Sequence, residues 1–375
     1  MNRIRPRLPA ILAGLALAGT PAVRAQAPED AVILRSGREV AGAVVKEDTA
    51  GIVVQTDPKN KAATQTFRWA EVDDVRYGDA PAAFTEAGQL LAEGKAEPAL
   101  RGFDASLKDK ARPWLAVEGN YGAARALEAL GRADDAVARY LKVSADPAAA
   151  RRAGDALMRA FRIRHAADDA EGAKKIVEAA GQAKALGAGA ASRKKLMEAR
   201  LQEASAPDAA KAAYDGLAAD PDPDVKREAV LGRLRVYEAQ KNWAELERAG
   251  RDLLGRGDPG LSAAAAVGVG EALRAKAAAG KDAALWREAL NVYLRPVVTD
   301  LPPAGESSEA HARAQLGAAQ CYEALSGLAS GAEARSAYRD AAAFHYAQVA
   351  AELGKTAWGR KAAERLAAIG GRRAN

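Results

Sequence analysis

Two kinds of hydrophobic spacing divide this chain near residue 79. Before it, short β-branched runs are cut by the turn signals Ser36-Gly37, Asp48-Thr49 and Asp57-Pro58. That alternation predicts about five short strands, at 31–34, 40–45, 52–54, 64–69 and 72–77. From Pro81 onward the strand signals vanish, and Ala, Leu, Glu, Lys and Arg take over with apolar residues three and four apart. This spacing predicts amphipathic helices to the end of the chain. Within it, 121–147 reads YGAARALEALGRADDAVARYLKVSADP, a helix, a turn at Gly131, and a second helix ending near Pro147.

That hairpin repeats. Ala136 and Tyr140 of its second helix recur 37 residues earlier as Ala99 and Phe103. They recur later as Ala173 and Val177, then as Ala210 and Tyr214, and Gly131 steps back to Gly94. A small residue followed one turn on by a large apolar one suits close helix approach, with the large side chain filling the space between neighbouring hairpins. One constant interval over four units indicates a repeat array. The spacing then loosens: further second helices are predicted at 241–254, 282–294 and 337–353, with a closing helix at 357–369, about seven hairpins in all.

At these residues the chain resembles the tetratricopeptide repeat (TPR) family. The family pairs two helices with Gly in the turn, Ala early in the second helix, an aromatic four residues later and Pro beyond. Gly131, Ala136, Tyr140 and Pro147 match it, Gly94, Ala99 and Phe103 match again, and Asp220-Pro221 closes the fourth unit. Two departures stand out. Asn120, Ala123, Ala124 and Leu127 occupy the first-helix signature places, and the period is 37 residues where about 34 is usual. The resemblance covers 81–369 and implies a mainly α fold, a right-handed TPR-like α-solenoid. The strand order at 30–78 resembles SH3-like and Sm-like barrels, which implies a small all-β barrel leading the solenoid.

The N-terminus changes the reading of charge. Arg3, Arg5 and Arg7, an apolar run over 11–18, and Ala25-Gln26-Ala27 have the three parts of a cleaved secretory signal over 1–27. The formal charge of +6 includes four arginines of that segment, so the mature chain of about 348 residues carries only +2. Nucleic-acid binding from global basicity therefore loses its support. A periplasmic or secreted location follows, and no later apolar run is long enough for stable membrane insertion. The single cysteine, Cys321, lies in a helical pattern and is expected to be a small buried residue, leaving packing alone to hold an exported fold. Residues 370–375 are expected to be a disordered tail.

Candidate chemistry is sparse. His165, His311 and His345 fall in separate units without metal-ligand spacing, and there is no HExxH, CxxC or G-x-S-x-G. The phosphate-loop pattern fails twice, with Val349 before Gly354-Lys355 and Ala275 before Gly280-Lys281 in place of its first glycine. No cofactor, metal or catalytic residue is assigned, and the expectation is a non-catalytic scaffold or adaptor. By the family pattern, Tyr121, Arg125, Met158, Arg162 and Arg235 fall where first helices face a concave groove. Such an arginine ladder would clamp an acidic segment of a protein partner in the cell envelope. The alternative is cell-wall or carbohydrate binding through the β module, with Trp69 and Tyr77 as stacking residues, although both also suit packing positions.

Overall fold

The computed structural model describes residues 29–187, 189–299, 309–352 and 357–370. The expected signal segment and residues 371–375 of the expected tail lie outside the described residues. Six strands come first: β1 (Ala31–Leu34), β2 (Glu39–Ala41), β3 (Ala43–Asp48), β4 (Gly51–Gln55), β5 (Thr64–Arg68) and β6 (Val72–Arg76). They form two antiparallel three-stranded sheets, ordered β2-β1-β6 and β3-β4-β5, rather than the closed barrel expected from the strand pattern. The expected strand 40–45 is really two, broken at Gly42, where the chain leaves one sheet for the other. A Cβ at Gly42 would lie 2.3 Å from the Gln55 carbonyl oxygen, so a larger residue would clash with the end of β4. The strands share one core of Val32, Leu34, Val40, Ile52, Val54, Phe67, Val72 and Val75.

Helices make up most of the other described residues. The first pairs are α1 (Ala82–Ala92) with α2 (Ala96–Ser106), α3 (Trp114–Ala129) with α4 (Ala133–Ala145), α5 (Ala150–Ala166) with α6 (Ala170–Gln182), and α7 (Gly189–Gln202) with α8 (Pro207–Leu217). Then come α9 (Pro223–Ala239) with α10 (Trp243–Arg256), α11 (Pro259–Gly280) with α12 (Ala283–Thr299), α13 (Glu309–Leu328) with α14 (Ala332–Glu352), and a last helix α15 (Ala357–Ala368). Seven pairs and a closing helix match the sequence expectation. Left-handed backbone marks the turn within five pairs, at Gly94, Gly131, Asp168, Lys241 and Lys281. Only the first two carry the glycine that makes the position visible in sequence.

Each helix packs on its chain neighbour, and the odd-numbered helices also touch one another in succession from α1 to α15. The residues that carry the repeat are buried: Ala99, Ala136, Ala173 and Ala210 are fully enclosed, as are Tyr140 and Tyr214, with Phe103 and Val177 nearly so. The small residue admits the neighbouring helix and the large one fills the junction, as the spacing predicts. Cys321 is fully buried, and burial pushes its thiol up to about 12. His311 and His345 are buried.

Three junctions between hairpins carry the same polar clasp. Tyr140 donates its hydroxyl to Glu128 at 2.6 Å, and Arg159 of the next hairpin donates to the same carboxylate oxygen at 3.3 Å. Tyr214 donates to Glu203 at 2.6 Å, which also accepts from Arg235 at 3.0 Å. Tyr346 donates to Glu323 at 2.9 Å, which Arg365 also reaches. In these three junctions the tyrosine hydroxyl finds a carboxylate acceptor and the partly buried glutamate finds two donors.

Candidate ligand-binding cleft

The β strands dock on the helices through residues that the repeat does not explain. Asp30 accepts from the Val44 amide at 2.9 Å and from the Gly78 amide at 2.8 Å, which fixes the start of β3 beside the exit from β6. Tyr77, just past β6, stacks on Trp114 at the start of α3, with ring centroids 4.2 Å apart and planes 8° from parallel. Phe84 of α1 meets Trp114 edge-on at 5.3 Å. The Trp114 indole donates to Asp79 at 3.3 Å, and Arg112 donates to the same carboxylate at 2.9 Å. This aromatic stack pins the end of the β region to the first two hairpins.

Arg151, in the first turn of α5, makes the second tie. It donates to Asp74 of β6 and, at 2.5 Å, to Glu118 of α3. Arg152 donates to the other Glu118 oxygen at 3.0 Å and lies over the Tyr121 ring at 4.6 Å. Burial alone would lower the Arg151 pKa, but Glu118 and Asp74 raise it well above its ordinary value, so the guanidinium stays charged. A third tie joins Arg35 to Asp224 at the start of α9, at 2.9 Å.

Between the β region and the helices lies a cleft of about 890 Å³, a size that suits a small ligand or a peptide segment. Residues 42–47 form one rim and Trp114, Val117, Ala148 and Ala149 the other, with Tyr77, Glu118 and Arg151 also lining it. β3 pairs only with β4, so its other edge is open to this side. The register shifts between Val44 and Lys46, and Val45 at this bulge is half exposed at 52%. Glu47 reaches inward and accepts from the Tyr77 hydroxyl at 2.7 Å. Burial raises its pKa, and the Tyr77 hydrogen bond and Arg151 only partly counter that.

The residues expected to line a groove have other roles. Tyr121 is buried and donates its hydroxyl to Asp155, and burial pushes its phenol up to about 12. Met158 is a core residue. Arg235 belongs to the Glu203 clasp and Arg162 pairs with Glu228 of α9, so these two do not form an open ladder. Arg125 is half-buried on α3. Trp69 donates its indole N–H to the Asp48 carbonyl at 2.7 Å and packs on the β core, while one face of Tyr77 is covered by Trp114. Neither is a free stacking platform.

Reasoning from sequence missed Arg151, Glu47, Glu118 and Trp114. One signal was available: Arg151-Arg152 opens a helix whose first turn holds no acid. The helix dipole disfavours cations there, which implies acidic partners from elsewhere in the fold. Among the described residues no group of three or more His, Cys, Asp or Glu is placed to hold a metal ion, and no helix is long and apolar enough to cross a membrane. A scan against protein-family models returns no match, and a search of curated proteins returns none either.

Proposed function

We propose that this chain is an exported, non-catalytic adaptor of the cell envelope. In this reading a TPR-like α-solenoid braces an SH3/Sm-like β module, and a protein partner docks in the cleft between them. The observation that carries the reading is the cleft itself, whose two walls are held together by the Arg151 ion pairs and the Tyr77–Trp114 stack. A preformed site loses little freedom on binding, which favours a stable complex. The succession of contacts among odd-numbered helices supports the solenoid. Two of the cleft's carboxylates already have structural partners, Asp30 with backbone amides and Glu118 with two arginines, which leaves Glu47 as the buried one facing a ligand.

Site-specific photo-crosslinking in the envelope of the source cells tests this. A crosslinking amino acid at Val45 is expected to trap a discrete partner, and one at Arg162 is not. Trapping from Arg125 and Arg162 but not from Val45 would return the docking site to the arginine groove.

A further inference from the structure

We infer that the cleft takes an extended polypeptide segment as an added strand along β3, with a lysine or arginine side chain of that segment seated at Glu47. This rests on the reading of the cleft as the docking site and names the kind of partner.

Three observations carry it. First, β3 is an edge strand whose open side faces the cleft, and its first amide there, at Val44, is already held by Asp30. Strand addition therefore begins beyond Val44, at the bulge where Val45 offers an exposed β-branched side chain. Added strands gain affinity from main-chain hydrogen bonds and specificity from alternate side chains. Second, Glu47 has the Tyr77 hydroxyl as its hydrogen-bond donor, and among the described residues no cation forms an ion pair with it. Its raised pKa reflects a carboxyl buried without such a partner, and an incoming ammonium or guanidinium would supply one. The lining as a whole holds five carboxylates against three cations. Third, the wall opposite β3 is fixed in advance: Arg151 lines the cleft, is only 9% exposed and is held by both Asp74 and Glu118, so an added strand meets a preformed wall.

The test uses the purified full chain panned against a phage-displayed library of random peptides. The enriched peptides are expected to carry a basic residue among β-branched or aromatic residues at alternate positions. Glu47→Gln should weaken their binding about tenfold or more, since a hydrogen-bonded charge contact is lost. Proline placed at successive peptide positions should abolish binding at every second position, where the peptide amide faces β3, and be tolerated between them. A thermal melt of the Glu47→Gln chain no lower than that of the original chain shows that the loss is not unfolding. Absence of enrichment, binding indifferent to Glu47→Gln, or proline tolerated throughout would overturn strand addition. So would uptake of soluble glycan fragments with no peptide. If Val45 traps a partner while no extended peptide binds, the cleft reading stands and strand addition falls. If Val45 traps nothing, the cleft reading falls with it.

Discussion

The junction between the second and third hairpins and the one that follows solve the same packing problem in opposite ways. At the first, Glu128, Tyr140 and Arg159 form a polar clasp. Thirty-seven residues on, the same three places hold His165, Val177 and Leu196, with Val177 and Leu196 buried and His165 stacked on Phe161. Thirty-seven residues back they hold Leu91, Phe103 and Gly122, and a Cβ on Gly122 would come 2.5 Å from the Phe103 ring. All three members change together. In these units the tyrosine, glutamate and arginine come and go together, but the rule is not general: Tyr293 of α12 is fully enclosed and fills its junction with no glutamate accepting from its hydroxyl.

The largest effect should come from emptying the polar junction. Tyr140→Ala should lower unfolding free energy by about 3–5 kcal/mol, and Val177→Ala by clearly less, since less buried volume is lost. Equilibrium urea unfolding of both variants would show it, and equal losses would break the contrast.

Next in size is removal of the shared acceptor. Glu128→Leu should cost about 1–3 kcal/mol, because Tyr140 and Arg159 are left without it. Glu128→Leu and Tyr140→Phe together should recover much of that loss, because Arg159 stays paired with Asp155 at 3.0 Å. A double variant less stable than Glu128→Leu would show that the clasp adds more than mutual satisfaction.

Tyr140→Phe alone should cost only about 1 kcal/mol, the net worth of one hydrogen bond, because Glu128 keeps Arg159. The urea midpoint should fall with little change in slope.

The smallest effect concerns pH at the cleft. The folded-state pKa of Glu47 is raised, so the native chain holds this proton where the unfolded chain has released it. Stability from this group is full below about pH 4.5, the ordinary value, and is lost as pH rises through the folded pKa. Glu47→Gln should therefore flatten the decline in stability over that range, measured by urea midpoints at stepped pH. A basic partner at Glu47 should reverse the shift.

Much of the helical half was legible from one interval. Ala99, Ala136, Ala173 and Ala210 mark close helix approaches, and Phe103, Tyr140, Val177 and Tyr214 mark the buried fillers, because helical periodicity and burial are local properties. The clasp was not legible, since Glu203 and Arg235 meet only after two helices have turned back on each other. Arg162 and Arg235 show the same limit: sequence placed the arginines but not Glu228 and Glu203 folded against them. Asp168, Lys241 and Lys281 hide left-handed turns that glycine would have advertised.

In the β region the sequence alone determined where most of the strands lie, because β-branched runs and the turn signals between them are local properties. Tertiary structure decided that Gly42 breaks one strand into two and that six strands make two sheets instead of a closed barrel. It also decided the cleft, whose walls are tied together by residues more than seventy positions apart, Asp74 and Arg151. Pairing between them depends on how two independently patterned regions dock, and neither pattern encodes the other.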